Sequence, residues 1–343
     1  MACARHPPHR DAGHADAHLA GDQGRCRTVT LADAPERRPL VGIALKICSV
    51  IAFVAMSALI KAAGEVFTGQ VVFFRSLFAI IPVVLVMTWR RELRTAFYTK
   101  RPVSHILRGL VGVASMGLGF FALTRLPLPE WVAINYAQPL IVVVFSAIFL
   151  GETVRIFRWT AVAVGFVGVV IVSWPKLTLI TSGADLGQGE AVGVVAVLAA
   201  AAISAVAMLL VRRLVLTEQS ATIVFWFSAT STVAGLATLP FGWSPIDATQ
   251  AVILIAAGLC GGVGQILMTE SYRHADMSTI APFEYTSMIL AIIIGYVIFA
   301  EVPTIYTLVG GTVVVGAGLF IIWREQRLGL QRAQARKVSP PQG

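Results

Sequence analysis

Between Val41 and Trp323 the chain is a succession of long, continuous apolar runs separated by a few polar, Pro or Gly residues. A soluble amphipathic helix would confine its apolar residues to a stripe recurring about every 3.6 positions, and a half-buried strand would alternate them. Here the apolar character goes all the way round for about 18–24 positions at a time, the length that crosses a ~30 Å hydrocarbon layer. The pattern predicts ten membrane-spanning helices over residues 41–60, 70–89, 104–124, 130–150, 157–174, 190–211, 221–240, 249–272, 279–300 and 303–323. The connections are short, so the activity has to reside in the helices themselves. The expected fold class is all-α, an integral membrane bundle of ten transmembrane helices.

Composition strengthens this reading. Of 343 residues, 57% are hydrophobic and 13% charged, against roughly 45–50% and ~25% in soluble domains, and mean hydropathy is +0.78. The net charge of +9 would suit nucleic acid if it formed one patch. Lys and Arg instead sit in short clusters between apolar runs and in the two tails, so nucleic acid is not an expected partner.

Cytoplasmic loops retain positive charge. With the N-terminus inside, 22 of the 27 Lys and Arg residues fall on the cytoplasmic side, among them Arg5, Arg90, Arg108, Arg158, Arg273 and Arg324. Lys61, Arg125 and Lys176 fall opposite, and Lys46 and Arg75 lie within spans. An odd number of spans would move half of the clusters to the wrong side. A multi-pass protein of the bacterial inner membrane with both termini cytoplasmic is expected.

Residues 1–40 are read as a flexible polar N-terminal tail, in preference to a metal site built from His6, His9, His14 and His18, and residues 324–343 as a basic C-terminal tail. Cys3, Cys26, Cys48 and Cys260 show no CxxC spacing, so neither a metal site nor a disulfide framework follows. No cofactor is expected.

A shift of 149 residues lays 109–174 over 258–323 without a gap: Gly109 falls on Gly258, Gly112 on Gly261, Tyr136 on Tyr285, Glu152 on Glu301 and Trp174 on Trp323. Upstream the offset changes slightly, and Gln70–Ser76 resembles Thr222–Ser228. The halves are 41–174 and 190–323, each of five spans. Five is odd, so the second half enters the membrane from the opposite side, which makes the two halves inverted repeats. Secondary transporters recurrently use this plan, alternating access around a site near the midplane.

A family resemblance rests on particular residues. Phe74-Arg75, the segment His105-Ile-Leu-Arg108-Gly109, Gln138-Pro139, Leu150-Gly151-Glu152 and the helix containing Gly165 and Gly168 resemble the first EamA repeat of the drug/metabolite transporter superfamily. Residues 281–285 and 299–303 resemble the second. Within that superfamily residues 73–76, 173–179, 269–273 and 281–287 are most similar to bacterial riboflavin importers, and more loosely to importers of S-adenosylmethionine and exporters of amino acids. The resemblance implies a transporter of a small organic molecule, with riboflavin the first substrate to consider.

Ionisable groups inside a span cost about 2.5–3.5 kcal/mol on insertion scales and call for a partner or a wet cavity. Arg75, Glu270 and Glu284 stand out, whereas Lys46 is close enough to the surface to snorkel. Glu284 follows Pro282, whose missing N–H loosens the first turn, and it precedes Tyr285 as Asn135 precedes Tyr136. Glu284 is suited to binding a proton or a substrate donor, with a pairing to Arg273 as the alternative. Glu152 and Glu301 end their spans at matched positions and are expected to cap or pair there, Glu152 with Arg155. Gln138 and Gln265 place amides near mid-span, where an unpaired amide is costly and a ligand would satisfy it. Trp226, with Phe225, Phe73 and Phe74, either anchors a span end or walls a flat ligand. The candidate substrate-binding set is therefore Arg75, Asn135, Tyr136, Gln138, Trp226, Gln265, Glu284 and Tyr285.

No phosphate-cradling GxxxxGK[ST] loop is present, nor HExxH or GxSxG. A membrane enzyme would need a polar catalytic cluster at one interface, and only Arg273, His274 and Asp276 come near one; the chain is read as no enzyme. The expected partners are a small-molecule substrate and the lipid bilayer, with a homodimer left open.

Overall fold

A computed structural model describes residues 39–91, 99, 101–151, 154–181, 189–214, 218, 220–275 and 277–338. Ten spans succeed one another along it. They are span 1 (Pro39–Ala62), span 2 (Thr68–Trp89), span 3 (Pro102–Leu123), span 4 (Leu128–Asn135 with Ala137–Leu150), span 5 (Ile156–Thr181) and span 6 (Glu190–Leu214). Span 7 (Ser220–Leu236), span 8 (Ala248–His274), span 9 (Thr286–Phe299, entered through the 3₁₀ turn Ala281–Tyr285) and span 10 (Ile305–Val338) complete them. Among the described residues, nine are long and apolar enough to cross a membrane, and span 7 is the short one.

Two ends depart from the sequence expectation. Span 7 stops at Leu236 rather than continuing to 240, and a 3₁₀ turn Leu239–Phe241 follows, because Pro240 has no N–H to offer the Leu236 carbonyl four residues back. Span 10 runs on past 323 to Val338 through residues that favour helix. There Arg158 of span 5 pairs with Glu325, and Arg327 lies over the Trp323 ring at 4.7 Å.

The packing obeys the internal duplication. Span 1 packs on span 8 as span 6 packs on span 3; span 2 meets span 8 as span 7 meets span 3; span 1 meets span 9 as span 6 meets span 4. Spans 2 and 7, 4 and 9, and 5 and 10 pair with their own counterparts, which places those three pairs on the pseudo-two-fold axis. Individual contacts repeat as well. A Cβ on Gly109 would meet Thr230, and one on Gly258 would meet Phe78; one on Gly112 would meet Phe227, and one on Gly261 would approach Arg75. Even the helix ends match: Gly151 and Ala300 close spans 4 and 9 in the left-handed conformation, their N–H groups returning to Ser146 and Gly295.

Close helix approach, as bundles in lipid require, depends on small residues. On spans 5 and 10 a Cβ on Gly168 would lie 2.8 Å from the Gly310 carbonyl oxygen, and one on Gly310 would lie 2.6 Å from that of Gly168.

Spans alternate between two ends of the bundle. The first end, where span 1 begins, carries the Lys46–Glu284, Arg90–Glu270 and Arg158–Glu325 ion pairs. The second carries Lys61–Glu301 at 2.7 Å and Lys176–Glu190 at 2.5 Å.

Candidate functional site

Spans 4 and 9 cross on the pseudo-two-fold axis, and both are interrupted there. In span 4 the first helix ends at Asn135 and the second begins at Ala137. Pro139 causes the break: it has no N–H to offer the Asn135 carbonyl four residues back, and its ring crowds that oxygen. In span 9 the 3₁₀ turn occupies Ala281–Tyr285, with Pro282 in its first turn. Hydroxyls add further bonds to carbonyls of this turn, Thr286 Oγ1 donating to Phe283 and Ser287 Oγ to Glu284, both at 2.7 Å.

The matched tyrosines meet at these breaks. The rings of Tyr136 and Tyr285 lie 5.1 Å apart, edge to face. The Tyr136 hydroxyl bonds the Ser287 hydroxyl at 2.5 Å, and the Tyr285 hydroxyl lies against Gly318 of span 10, where any side chain would collide with it.

Beside the pair, on the side of the first half, lies a cavity of about 120 Å³ lined by Ser115, Gly119, Trp131, Asn135, Gln138 and Ser204, with Met116, Phe120 and Ala200. Its lining is neutral. Ser115 donates to the Ala200 carbonyl at 2.8 Å and the Trp131 indole to that of Gly119 at 2.9 Å, which fixes the walls where spans 3, 4 and 6 diverge. The volume falls below the ~300–1,000 Å³ of most small-molecule sites, so loading a metabolite requires these spans to part.

The 149-residue shift places Gln265, Glu284 and Ser287 at the equivalent of this cavity in the second half. There Phe53 packs against Gly264, 3.2 Å from where a Cβ would lie, and Lys46 reaches Glu284. One half thus has a cavity where its counterpart carries a phenyl ring and an ion pair.

The structure sorts the candidates into groups. Asn135 and Gln138 line the cavity, Tyr136 and Tyr285 meet each other at the two breaks, and Glu284 precedes Tyr285 and pairs with Lys46. Gln265 is not among the residues lining that cavity; its backbone carbonyl accepts from Thr269 at 2.8 Å. Arg75 and Trp226 sit elsewhere, between spans 2, 3 and 7. Phe73 stacks toward Trp243 and Phe74 toward Phe78, away from the tyrosines.

Several expectations are corrected. Lys46 does not snorkel: it is 3% exposed and ion-paired with Glu284, while the side chain of Arg273, the expected partner of Glu284, lies outside the described residues. Glu270 pairs with Arg90 at 2.8 Å. Arg108, counted with the loop charges, belongs to span 3 and stacks over Phe227. Glu301 does pair, with Lys61, and also accepts the Leu128 N–H at 2.8 Å. Glu152 and both chain ends, 1–38 and 339–343, lie outside the described residues. Sequence reasoning also missed Ser115, Trp131 and Ser204 in the cavity wall, and Glu130, which accepts from Thr307 at 3.3 Å and faces Lys176 at 3.8 Å.

Comparison with known proteins agrees with this architecture. The model of the EamA-like transporter family matches residues 40–174 and 191–324. The S-adenosylmethionine uptake transporter of Rickettsia felis is 25% identical over 289 residues, 84% of this chain and 94% of the relative. The pseudopaline exporter of Pseudomonas aeruginosa is 27% identical over 282 residues, 80% and 94% of the two chains. The riboflavin transporter of Rhizobium johnstonii is 28% identical over 234 residues, 68% and 74%. A solved crystal structure 18% identical in sequence matches in fold with a TM-score of 0.58, covering 84% of this chain and 98% of that one.

Proposed function

The chain belongs to the EamA-like transporter family, and from that premise we propose that it is a secondary transporter that takes up riboflavin by alternating access. It is a membrane transporter of EamA type and not an enzyme. The observation that carries the substrate is the neutral polar cavity between spans 3, 4 and 6, beside the break in span 4. Riboflavin is an uncharged tricyclic ring with carbonyl and ring-nitrogen acceptors and a chain of hydroxyls. The amides of Asn135 and Gln138 and the hydroxyls of Ser115 and Ser204 answer those groups in kind, and Trp131 and Phe120 supply flat walls.

The mechanism follows from the asymmetry between the halves. An inverted repeat with a cavity on one side and a closed counterpart on the other has two arrangements of equal topology, and exchange between them moves the opening from one face to the other. The ion pairs at the two ends oppose each opening in turn. With its positive first end in the cytoplasm, the substrate enters from the second end, where Lys61–Glu301 has to part.

A second reading, uptake of S-adenosylmethionine or a related amino-acid-type metabolite, is favoured by the buried Arg75 and the half-buried Arg108, whose charges suit a carboxylate. Expression in a riboflavin-auxotrophic bacterium lacking its own importer separates the two. Growth on micromolar riboflavin is expected. A membrane-inserted protein that gives no rescue, yet accumulates labelled S-adenosylmethionine, replaces the first reading with the second.

A further inference from the structure

Away from the tyrosines, spans 2, 3 and 7 enclose a second polar cluster. Arg75 retains 7% of its exposure, and its Nε has no hydrogen-bond partner. Gly261 gives it room, since a Cβ there would stand 3.3 Å from that nitrogen. Arg108 lies within electrostatic range of Arg75 and stacks over Phe227 at 4.1 Å. Stacking engages the face of a guanidinium and leaves its in-plane N–H donors free. Nε and Nη1 of Arg108 are buried and meet no acceptor.

One turn earlier, His105 is 1% exposed and neither of its ring nitrogens is bonded. Its ring lies 5.9 Å from that of Trp226, whose indole N–H also lacks an acceptor. Glu218 acts on His105 at longer range, with its Oε1 already accepting from Thr99. Among the described residues, no carboxylate pairs with either arginine.

Burying one cation without a counterion is costly, and placing a second beside it raises the cost. The fold does not impose this arrangement, because the counterpart of Arg75 in the second half is Phe227. Donors from three spans, His105 and Arg108 on span 3, Trp226 on span 7 and Arg75 on span 2, are buried with no acceptor to answer them. We propose that Arg75, His105, Arg108 and Trp226 form a binding site for a small oxyanion, a carboxylate or a phosphate.

Two guanidinium edges match the paired oxygens of such an anion, and the imidazole and indole each add a donor. Arg108 is only half-buried, so the anion enters past it. Its source is either the acid group of a transported molecule or a free inorganic anion. The site is separate from the Asn135–Gln138 cavity, and its test does not depend on riboflavin being carried.

The full-length protein is purified in detergent and its thermal midpoint is followed at constant ionic strength. Sodium phosphate or sodium acetate replaces the sodium salt of a bulky sulfonate. The wild type is expected to show a saturable rise in midpoint with at least one probe. Arg108→Gln is expected to lose that rise while being no less stable in the sulfonate buffer, because it removes one of two adjoining cations; Asn135→Ala keeps it. A response to phosphate alone assigns the site to a free inorganic oxyanion, and a response to acetate assigns it to a carboxylate. Should Arg108→Gln fail to fold, Arg108→Lys keeps the charge without the fork, and its half-saturation is expected to weaken about ten-fold. No saturable rise in the wild type, an equal rise in Arg108→Gln, or an unchanged half-saturation in Arg108→Lys overturns the proposal.

Discussion

Lys46 of span 1 and Glu284 at the entry of span 9 form an ion pair that joins the two halves of the bundle, with Lys46 3% and Glu284 51% exposed. At the far end of the same two spans, Lys61 and Glu301 pair at 2.7 Å. Span 1 is thus tied to span 9 at both ends, and the ties are unequal in burial.

This inequality predicts an asymmetric double-mutant cycle. Glu284→Gln leaves the Lys46 ammonium in an apolar setting; a fully buried broken pair costs about 3–5 kcal/mol, and with Glu284 half-exposed the expected loss is about 1–3 kcal/mol. Lys46→Met leaves a carboxylate that water reaches, and costs less. The double variant should resemble Lys46→Met alone. Chemical denaturation in detergent reads all three; equal losses in the two single variants would show that Lys46 is hydrated after all.

Ala300 closes span 9 at φ 54°, where its counterpart Gly151 closes span 4 at φ 63°. A Cβ in this region costs about 1–2 kcal/mol, part of which a glycine returns through its greater freedom in the unfolded chain. Ala300→Gly is therefore expected to stabilise the protein by about 0.5–1 kcal/mol and to raise its thermal midpoint. A lower midpoint would mean that the alanine methyl is used in packing.

These two sites mark what the sequence reveals and where it stops. The matched caps, the tyrosine pair and the glycines that meet Thr230 and Phe78 all follow from one offset between the halves, because duplicated sequence folds into duplicated contacts. Lys46 is different. In a helix that is apolar all round, the pattern fixes a residue's depth but not the direction in which it points, so a lysine facing lipid headgroups and one facing Glu284 read alike. Arg108, counted with the cytoplasmic charges though inside the span predicted over 104–124, reads as interfacial for the same reason. The cavity wall was equally silent: Ser115, Trp131 and Ser204 are ordinary residues of spans, and they become a site only where three helices diverge around the break that Pro139 makes.

Spans 5 and 10 cross through Gly168 and Gly310. A methyl on Gly310 would lie 2.6 Å from the Gly168 carbonyl oxygen and 2.9 Å from the Val172 nitrogen, backbone atoms that no rotamer change can move. Gly310→Ala is expected to cost about 1–3 kcal/mol through overpacking. Gly316→Ala, where nothing lies within 4 Å of the added carbon, is its control and should change stability little. Similar losses in both would point to a property of glycine in span 10 other than the crossing.

The last prediction concerns the cavity itself. Asn135 and Gln138 line it, whereas Gln265, a mid-span amide of the same kind, does not. If the amides hold riboflavin, each hydrogen bond lost is worth about 0.5–1.5 kcal/mol. Asn135→Ala and Gln138→Ala should then raise the KM for riboflavin uptake by up to about ten-fold, while Gln265→Ala leaves it within about two-fold. Measured in membrane vesicles with protein amounts matched, this contrast separates a cavity effect from a general intolerance of amide loss in the spans. An equal rise in all three would place the ligand along the whole axial crossing, and a rise in Gln265→Ala alone would move the site to the second half.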